Sequence, residues 1–328
     1  TLSVMYTGVT AQLCQEDKIA QEAYEKYMSI GGKDLAILYG LSQIYKNNKD
    51  EDKALNLIEK AIALYPGNKD LKGEKFNMLI AFNRIDQAIV QLTQTTANDP
   101  KDAISWLNLG LLFENKVSGV NDEARKIQEK TFKVNDAKRK VAAQKDQVDL
   151  FSDELKRTKA KLKATPPAKQ GPIKAQITKL ESTLVEYNTA LNDIKADLTK
   201  AESEIGDLAA NNAKLAELNA KIVEYRKDLP MYYSKALEAD ENYYDALYQL
   251  GAYYYNEGVE IKKKVDNMDM DTYKKEGKAV EASVSAKYEQ ALPYFEKAFK
   301  NKKEDDLKEV LKQIYKALKL DAKLAELN

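Results

Sequence analysis

Asp266, Asp269 and Asp271 crowd into the stretch DNMDMD, and carboxylates at such short spacing are what a hard divalent cation binds in a loop. The spacing does not match a calcium loop, and no glutamate closes the stretch at the required distance. It therefore reads as the polar tip of a turn. Other reactive side chains are scarcer. Histidine is absent and Cys14 is the only cysteine. That removes histidine-dependent triads, the common zinc sites, disulfide frameworks, and haem or iron–sulfur ligation by the usual side chains. Cys14 follows Leu13 rather than a small residue, and reads as a small apolar side chain more than a lipid-anchor thiol. Carboxylates are plentiful, but no catalytic pair in an apolar setting, no glycine-rich phosphate loop and no nucleophile elbow is visible. The expectation is a non-enzymatic chain with no cofactor and no metal.

Recognition chemistry is better supplied. The chain holds 20 tyrosines, clustered at Tyr232–Tyr233, Tyr243–Tyr244 and Tyr253–Tyr255. Tyrosine offers a large rigid face with a polar tip, which suits a contact surface as well as a core. The 52 basic and 52 acidic residues cancel. A nucleic-acid binder or polybasic membrane tether carries a basic surplus, so neither partner is expected. No run reaches the roughly 20 apolar residues of a membrane span.

The elements that would position such a surface follow from a period. Pro66 and Pro100 stand one such period apart, within the same skeleton of small and apolar residues. In the unit from Leu35 to Asn68, Leu38, Leu41, Ser42 and Tyr45 precede Ala54, Ile58 and Ala61. Trp106, Leu109, Gly110 and Phe113 open a further unit that Tyr233, Ala236 and Asp240 close much later. Leu247, Leu250, Gly251 and Tyr254 open another, closed by Ala291, Phe295 and Ala298. A period of about 34 residues marks a helix pair that buries its apolar stripe only by stacking on a copy. Residues 71–100 are degenerate, with Lys75 and Phe76 where leucine and glycine are expected; the opening segment keeps Ala20 and Tyr24 and little else.

These residues resemble the tetratricopeptide repeat family: Trp-Leu-Gly-aromatic in the first helix, Ala-aromatic-Ala in the second, then proline. The resemblance covers residues 17–117 and 229–328. It implies an all-α superhelix of antiparallel helix pairs that binds an extended segment of a protein partner on the concave side, lined by first helices. Projecting the family's pattern places Tyr39, Gln43, Asn47, Leu107, Leu111, Asn115, Tyr248, Tyr255 and Asn256 in that groove. Asn47, Asn115 and Asn256 share one repeat position, where an amide either bonds a peptide backbone or ends the first helix. The family's clamp for a C-terminal carboxylate is not expected, because Gly40, Gln43, Asn108 and Ala252 stand near its positions.

Between the two repeat regions, residues 118–228 are heptad-patterned. Ile127, Val134, Val141, Val148, Leu155 and Leu162 recur every seven residues. Ile177, Leu184, Leu191, Leu198 and Ile205 form a return seam, with a second through Ile173, Leu180, Tyr187, Ile194, Leu208, Leu215 and Ile222. Proline and glycine at Pro166, Pro167, Gly171 and Pro172 break the helix between. The pattern predicts an antiparallel coiled-coil hairpin with its tip near residues 164–172. The outgoing arm has a weak second seam at Lys138 and Lys145. The longer return arm needs a break near Gly206 or Asn211–Asn212, or slack at Val117–Val120. A leftover apolar stripe on the return arm either recruits another chain, such as a second copy, or is covered by the hairpin itself. A shorter hairpin is expected at about 259–286, and Leu307–Leu318 reads as a capping helix.

Residues 1–16 read as either a signal-peptide remnant, cut after Val9-Thr10-Ala11, or an N-terminal cap helix. The first reading places the protein in an exported, periplasmic setting; the second leaves it cytoplasmic. The whole-chain pattern is similar to exported repeat proteins of the Bacteroidota. The resulting expectation is a protein–protein interaction scaffold or adaptor, its groove holding one partner and its coiled-coil arm reaching another. The alternative is an accessory subunit of a cell-envelope enzyme, assembly or secretion complex.

Overall fold

The computed structural model describes residues 2–327; Thr1 and Asn328, the outer ends of the first and last expected segments, lie outside the described residues. Among the described residues there is no strand. The helices are α1 (Leu2–Leu13), α2 (Asp17–Ser29), α3 (Leu35–Asn47), α4 (Glu51–Leu64), α5 (Lys69–Ala81), α6 (Ile85–Asn98), α7 (Ala103–Ala164), α8 (Gly171–Ile205), α9 (Leu208–Lys227), α10 (Leu229–Ala239), α11 (Tyr244–Asp266), the single turn α12 (Met270–Thr272), α13 (Lys278–Asn301), α14 (Asp305–Ala317) and α15 (Asp321–Glu326). The chain divides into two compact units: residues 1–113 with 228–328, and residues 114–227.

In the first unit the turn inside each helix pair is set by backbone chemistry. Gln15, Lys49 and Asn83, each one repeat period from the next, take positive φ of 61°, 61° and 56°. After each, an N–H bonds back across the helix end: Glu16 to Ala11 O (2.8 Å), Asp50 to Tyr45 O (2.9 Å) and Arg84 to Leu79 O (2.8 Å). A left-handed residue followed by this long bond is the Schellman ending, which satisfies otherwise orphaned carbonyls. Lys319 repeats it at φ 56°, with Leu320 N on Tyr315 O at 2.8 Å. α14 and α15 are therefore a sixth, shortened helix pair. The turn is missing only from the fourth and fifth pairs, whose first helices, α7 and α11, run on into the inserted segments.

Packing within a pair follows one steric rule. An added Cβ on Gly8 would sit 2.5 Å from the Tyr24 ring, and on Gly251 2.7 Å from the Phe295 ring; on Gly110 it would overlap Tyr233. Each ring is almost wholly buried. The small residue is the seat of the aromatic, so helix axes approach closely while the ring fills the space. Gly8 corrects the expectation that the opening segment keeps little beyond Ala20 and Tyr24. It lies one period before Ser42, and α1 packs on α2 as an ordinary first helix, so a boundary at residue 16 would cut a helix pair. Its outer face is polar: Ser3, Thr7 and Thr10 stand where the next repeat buries Ile37, Leu41 and Ile44.

Neighbouring pairs are clamped by a recurring hydrogen bond. Tyr45 donates to Glu25 at 2.6 Å, and Tyr315 donates to Glu296 at 2.9 Å, from matching repeat positions. Burial, then the carboxylate, pushes both phenols well above the ordinary tyrosine range. In return the Tyr45 hydroxyl, then Gln21, holds the Glu25 carboxyl below its usual range.

The second unit is an antiparallel helical hairpin. Lys159 pairs with Glu181 at 2.6 Å, Lys138 with Glu202 at 3.2 Å and Lys214 with Glu123 at 3.8 Å. Phe151 meets Tyr187 at 5.0 Å between ring centroids, and Gln144 donates to Tyr187 O at 3.1 Å. These contacts overturn the weak second seam at Lys138 and Lys145. Both lysines are exposed, and the seam runs instead through Ala137, Gln144, Phe151 and the buried Thr158. The reason is heptad spacing, which places the second seam three residues after the first rather than four. The buried residues of α8 fall on the two expected seams, while the exposed valines, Val185 and Val223, lie outside them. The return arm breaks at Gly206, at φ 67°, and Asp207 caps α9 by accepting from Ala209 N and Ala210 N.

Candidate partner-binding cleft

An open cleft lies between the first helices of the second and third pairs. Two caps start those helices: Asp34 accepts from Ala36 N at 2.9 Å, and Asn68 accepts from Asp70 N at 3.0 Å. Between them is a cleft of about 880 Å³ lined by residues of α3 and α5, among them Tyr39, Asp70, Gly73, Glu74 and Asn77. Tyr39, Gly73 and Leu107 follow one another at the repeat period and hold one repeat position. A Cβ on Gly73 would meet nothing within 4 Å, and Tyr39, which lines the same cleft, is 41% exposed.

The rear of the cleft is organised by Glu74. Lys46 Nζ lies 3.0 Å and Gln43 Nε2 2.9 Å from the same Glu74 oxygen. That arrangement neutralises Glu74 and fixes α5 against α3. Among the described residues Asp70, Asn77 and the Tyr39 hydroxyl have no such partner, so a carboxylate, an amide and a phenol line the opening. An amide and a phenol bond a peptide backbone, and the ring supplies apolar area. Among the described residues no histidine, cysteine and carboxylate grouping could hold a metal ion, and no helix is long and apolar enough to cross a membrane.

Of the projected groove residues, only Tyr39 lines this cleft, with Gln43 at its rear and Asn47 exposed at the end of α3. Leu107 is a correction. It is 4% exposed and packs with Leu229, Tyr233, Ala246 and Leu250, and Leu111 packs against the same group. The physical reason is that this repeat position faces the next first helix, where Ala246 and Leu250 fill the space. Tyr248 is half-buried against Phe295 and Tyr244. Tyr255 donates to Gln313 at 2.6 Å and stacks on Tyr288, so the capping pair already engages it. Asn256 is exposed and Asn115 falls in the other compact unit. Both lie inside continuous helices, so the helix-ending reading of the shared asparagine holds only at Asn47. Asp34, Asn68, Asp70, Gly73, Glu74 and Asn77 were not projected. The signal was present, since a glycine inside a helix at a position otherwise held by tyrosine and leucine marks a gap.

Residues 48–109 match the tetratricopeptide repeat family. No curated protein matches the chain. Solved structures with similar folds include yeast Tom70, at 14% identity and a TM-score of 0.34 over 99% of this chain and 67% of that one. They also include a human IFIT1 dimer with m7Gppp-AAAA, at 13% identity and 0.25 over 98% and 65%. A third is Naa15/Naa10 bound to HypK-THB, at 14% and 0.30 over 98% and 56%. The chain thus spans about two thirds of Tom70 and less of the other two, and likeness at these scores assigns no role.

Proposed function

We propose that this protein is a non-enzymatic protein–protein interaction scaffold whose α3–α5 cleft holds an extended segment of a partner protein. The observation that carries the reading is an open cleft lined by the exposed Tyr39, Asp70 and Asn77, with side-chain-free Gly73 among them. A stack of helix pairs offers a preformed, rigid wall, so a partner loses little to ordering the site. The test is a photo-crosslinking residue placed at Asn77 and, as control, at the exposed Lys60 on α4. Adducts from Asn77 that vanish with Gly73→Leu support the cleft; equal yields from both positions, or adducts indifferent to Gly73→Leu, refute it.

The hairpin of residues 114–227 has its own internal packing, and its role is a coiled-coil arm that engages a second partner or a second copy. Exposed Phe132 and Leu150 support that role. Deleting residues 122–226 and joining the ends by a short turn is expected to remove one set of partners while the Asn77 adducts persist. Loss of both, or of neither, contradicts a division of labour. Location in a bacterial envelope rests on the resemblance in residue pattern; the mass of the N-terminus of the protein isolated from cells tests it, an intact Thr1 removing the argument from cleavage.

A further inference from the structure

The cleft's lining goes further than its shape. Besides apolar and amide groups it holds three carboxylates, Asp34, Asp70 and Glu74, and, among the described residues, no lysine or arginine. Lys46 cancels Glu74 at 3.0 Å. The positive ends of α3 and α5 offset part of Asp34 and Asp70, because helix N-termini carry about half a charge. Among the described lining residues the remaining charge is negative, beside Tyr39, which is 41% exposed. An aromatic face next to an unpaired carboxylate is the surrounding a guanidinium or ammonium group prefers: the ring attracts the cation, and the carboxylate takes its hydrogen bonds.

Resting on the cleft reading above, we infer that the segment bound between α3 and α5 is basic, with an arginine or lysine stacked on Tyr39 and paired with Asp70. The free amide of Asn77 then bonds the backbone of the bound segment, which accounts for affinity without a strict sequence. An acidic segment would meet like charge at Asp34 and Asp70. A wholly apolar one would bury the Asp70 carboxylate unpaired, a costly arrangement.

The probe is a short fluorescein-labelled glycine–serine peptide with two central arginines, compared by fluorescence anisotropy with versions carrying two glutamates or two leucines. Two partly exposed ion pairs and one ring contact together correspond to about a tenfold preference. The arginine peptide is expected to bind tightest, to weaken as salt is raised, and to lose its advantage in Asp70→Asn and in Tyr39→Ala. Both side chains are exposed and lie outside the packed core, so neither change threatens the fold. Equal binding of the three peptides, a preference for glutamate or leucine, or no binding of the arginine peptide overturns the inference. None of these outcomes touches the crosslinking result at Asn77, which depends on an occupied cleft and not on the charge of what fills it.

Discussion

Replacing Gly73 and Gly110 by alanine, one at a time, sets the steric rule of this fold against the propensity of the helix. Both glycines lie inside helices, and alanine is favoured there by about 1 kcal/mol. At Gly73 nothing opposes that gain, because no atom lies within 4 Å of the new methyl. Gly73→Ala is therefore expected to stabilise the protein by about 0.5–1 kcal/mol. At Gly110 the new methyl overlaps the Tyr233 ring, with Cζ at 2.9 Å and Cδ1 at 3.0 Å. Tyr233 is 0% exposed and hemmed in by Leu229, Ala236 and Leu250, so the ring has nowhere to turn. Overpacking costs about 1–3 kcal/mol, and the upper part of that range applies where an aromatic must move bodily. The net effect of Gly110→Ala is then a loss of about 1–2 kcal/mol, and the two variants should differ by about 1.5–3 kcal/mol. Urea titration followed by circular dichroism reads the whole chain. Trp106, the only tryptophan and stacked on Tyr232 at 6.4 Å, reads the fourth pair by fluorescence. Two probes are needed because stacked repeats can unfold in stages. Shifts of the same sign, or a neutral Gly110→Ala, would refute the claim that small residues seat the rings.

Alkaline pH should destabilise the fold. Tyr24, Tyr45, Tyr244, Tyr288 and Tyr315 all titrate above the ordinary tyrosine range when folded, chiefly through burial. The unfolded chain then loses those protons first, so stability is full below the unfolded value near 10 and falls as pH rises past it. Tyrosinate absorbance rising together with loss of helix checks this; tyrosines ionising with the helix intact would contradict it. Tyr45→Phe deletes the hydrogen bond to Glu25 and should cost about 1–2 kcal/mol. The same change should flatten the acid limb, because the depressed Glu25 contributes stability above its ordinary range that is lost as pH falls through its folded value. Thermal melts at graded pH compare the two proteins. Gly206→Ala forces a side chain to φ 67° and should cost about 1–2 kcal/mol. Hydrogen exchange should show that cost within residues 114–227, leaving α3–α5 protected.

Much of this architecture is written in spacing. The repeat period, the glycine–aromatic pairs and the heptads each reflect a local periodic demand, and a helix face meets such a demand wherever it lies in the chain. Even Gly8 and Gly73 were legible, the first by extending the period backwards and the second by asking which member of a position is empty. The outgoing arm's second seam, expected at Lys138 and Lys145, lies one residue earlier at Ala137 and Gln144, because a helix seam alternates steps of three and four.

What residue order alone determined is the class: stacked helix pairs, rings seated on glycines and an inserted hairpin. Which surface stays open was decided by tertiary structure. Tyr39, Leu107 and Tyr248 look equivalent in the repeat, but one lines an open cleft, one is buried by the next helix and one is half-buried against Phe295. Exposure depends on what a neighbouring helix brings to the same space, and no single position carries that information.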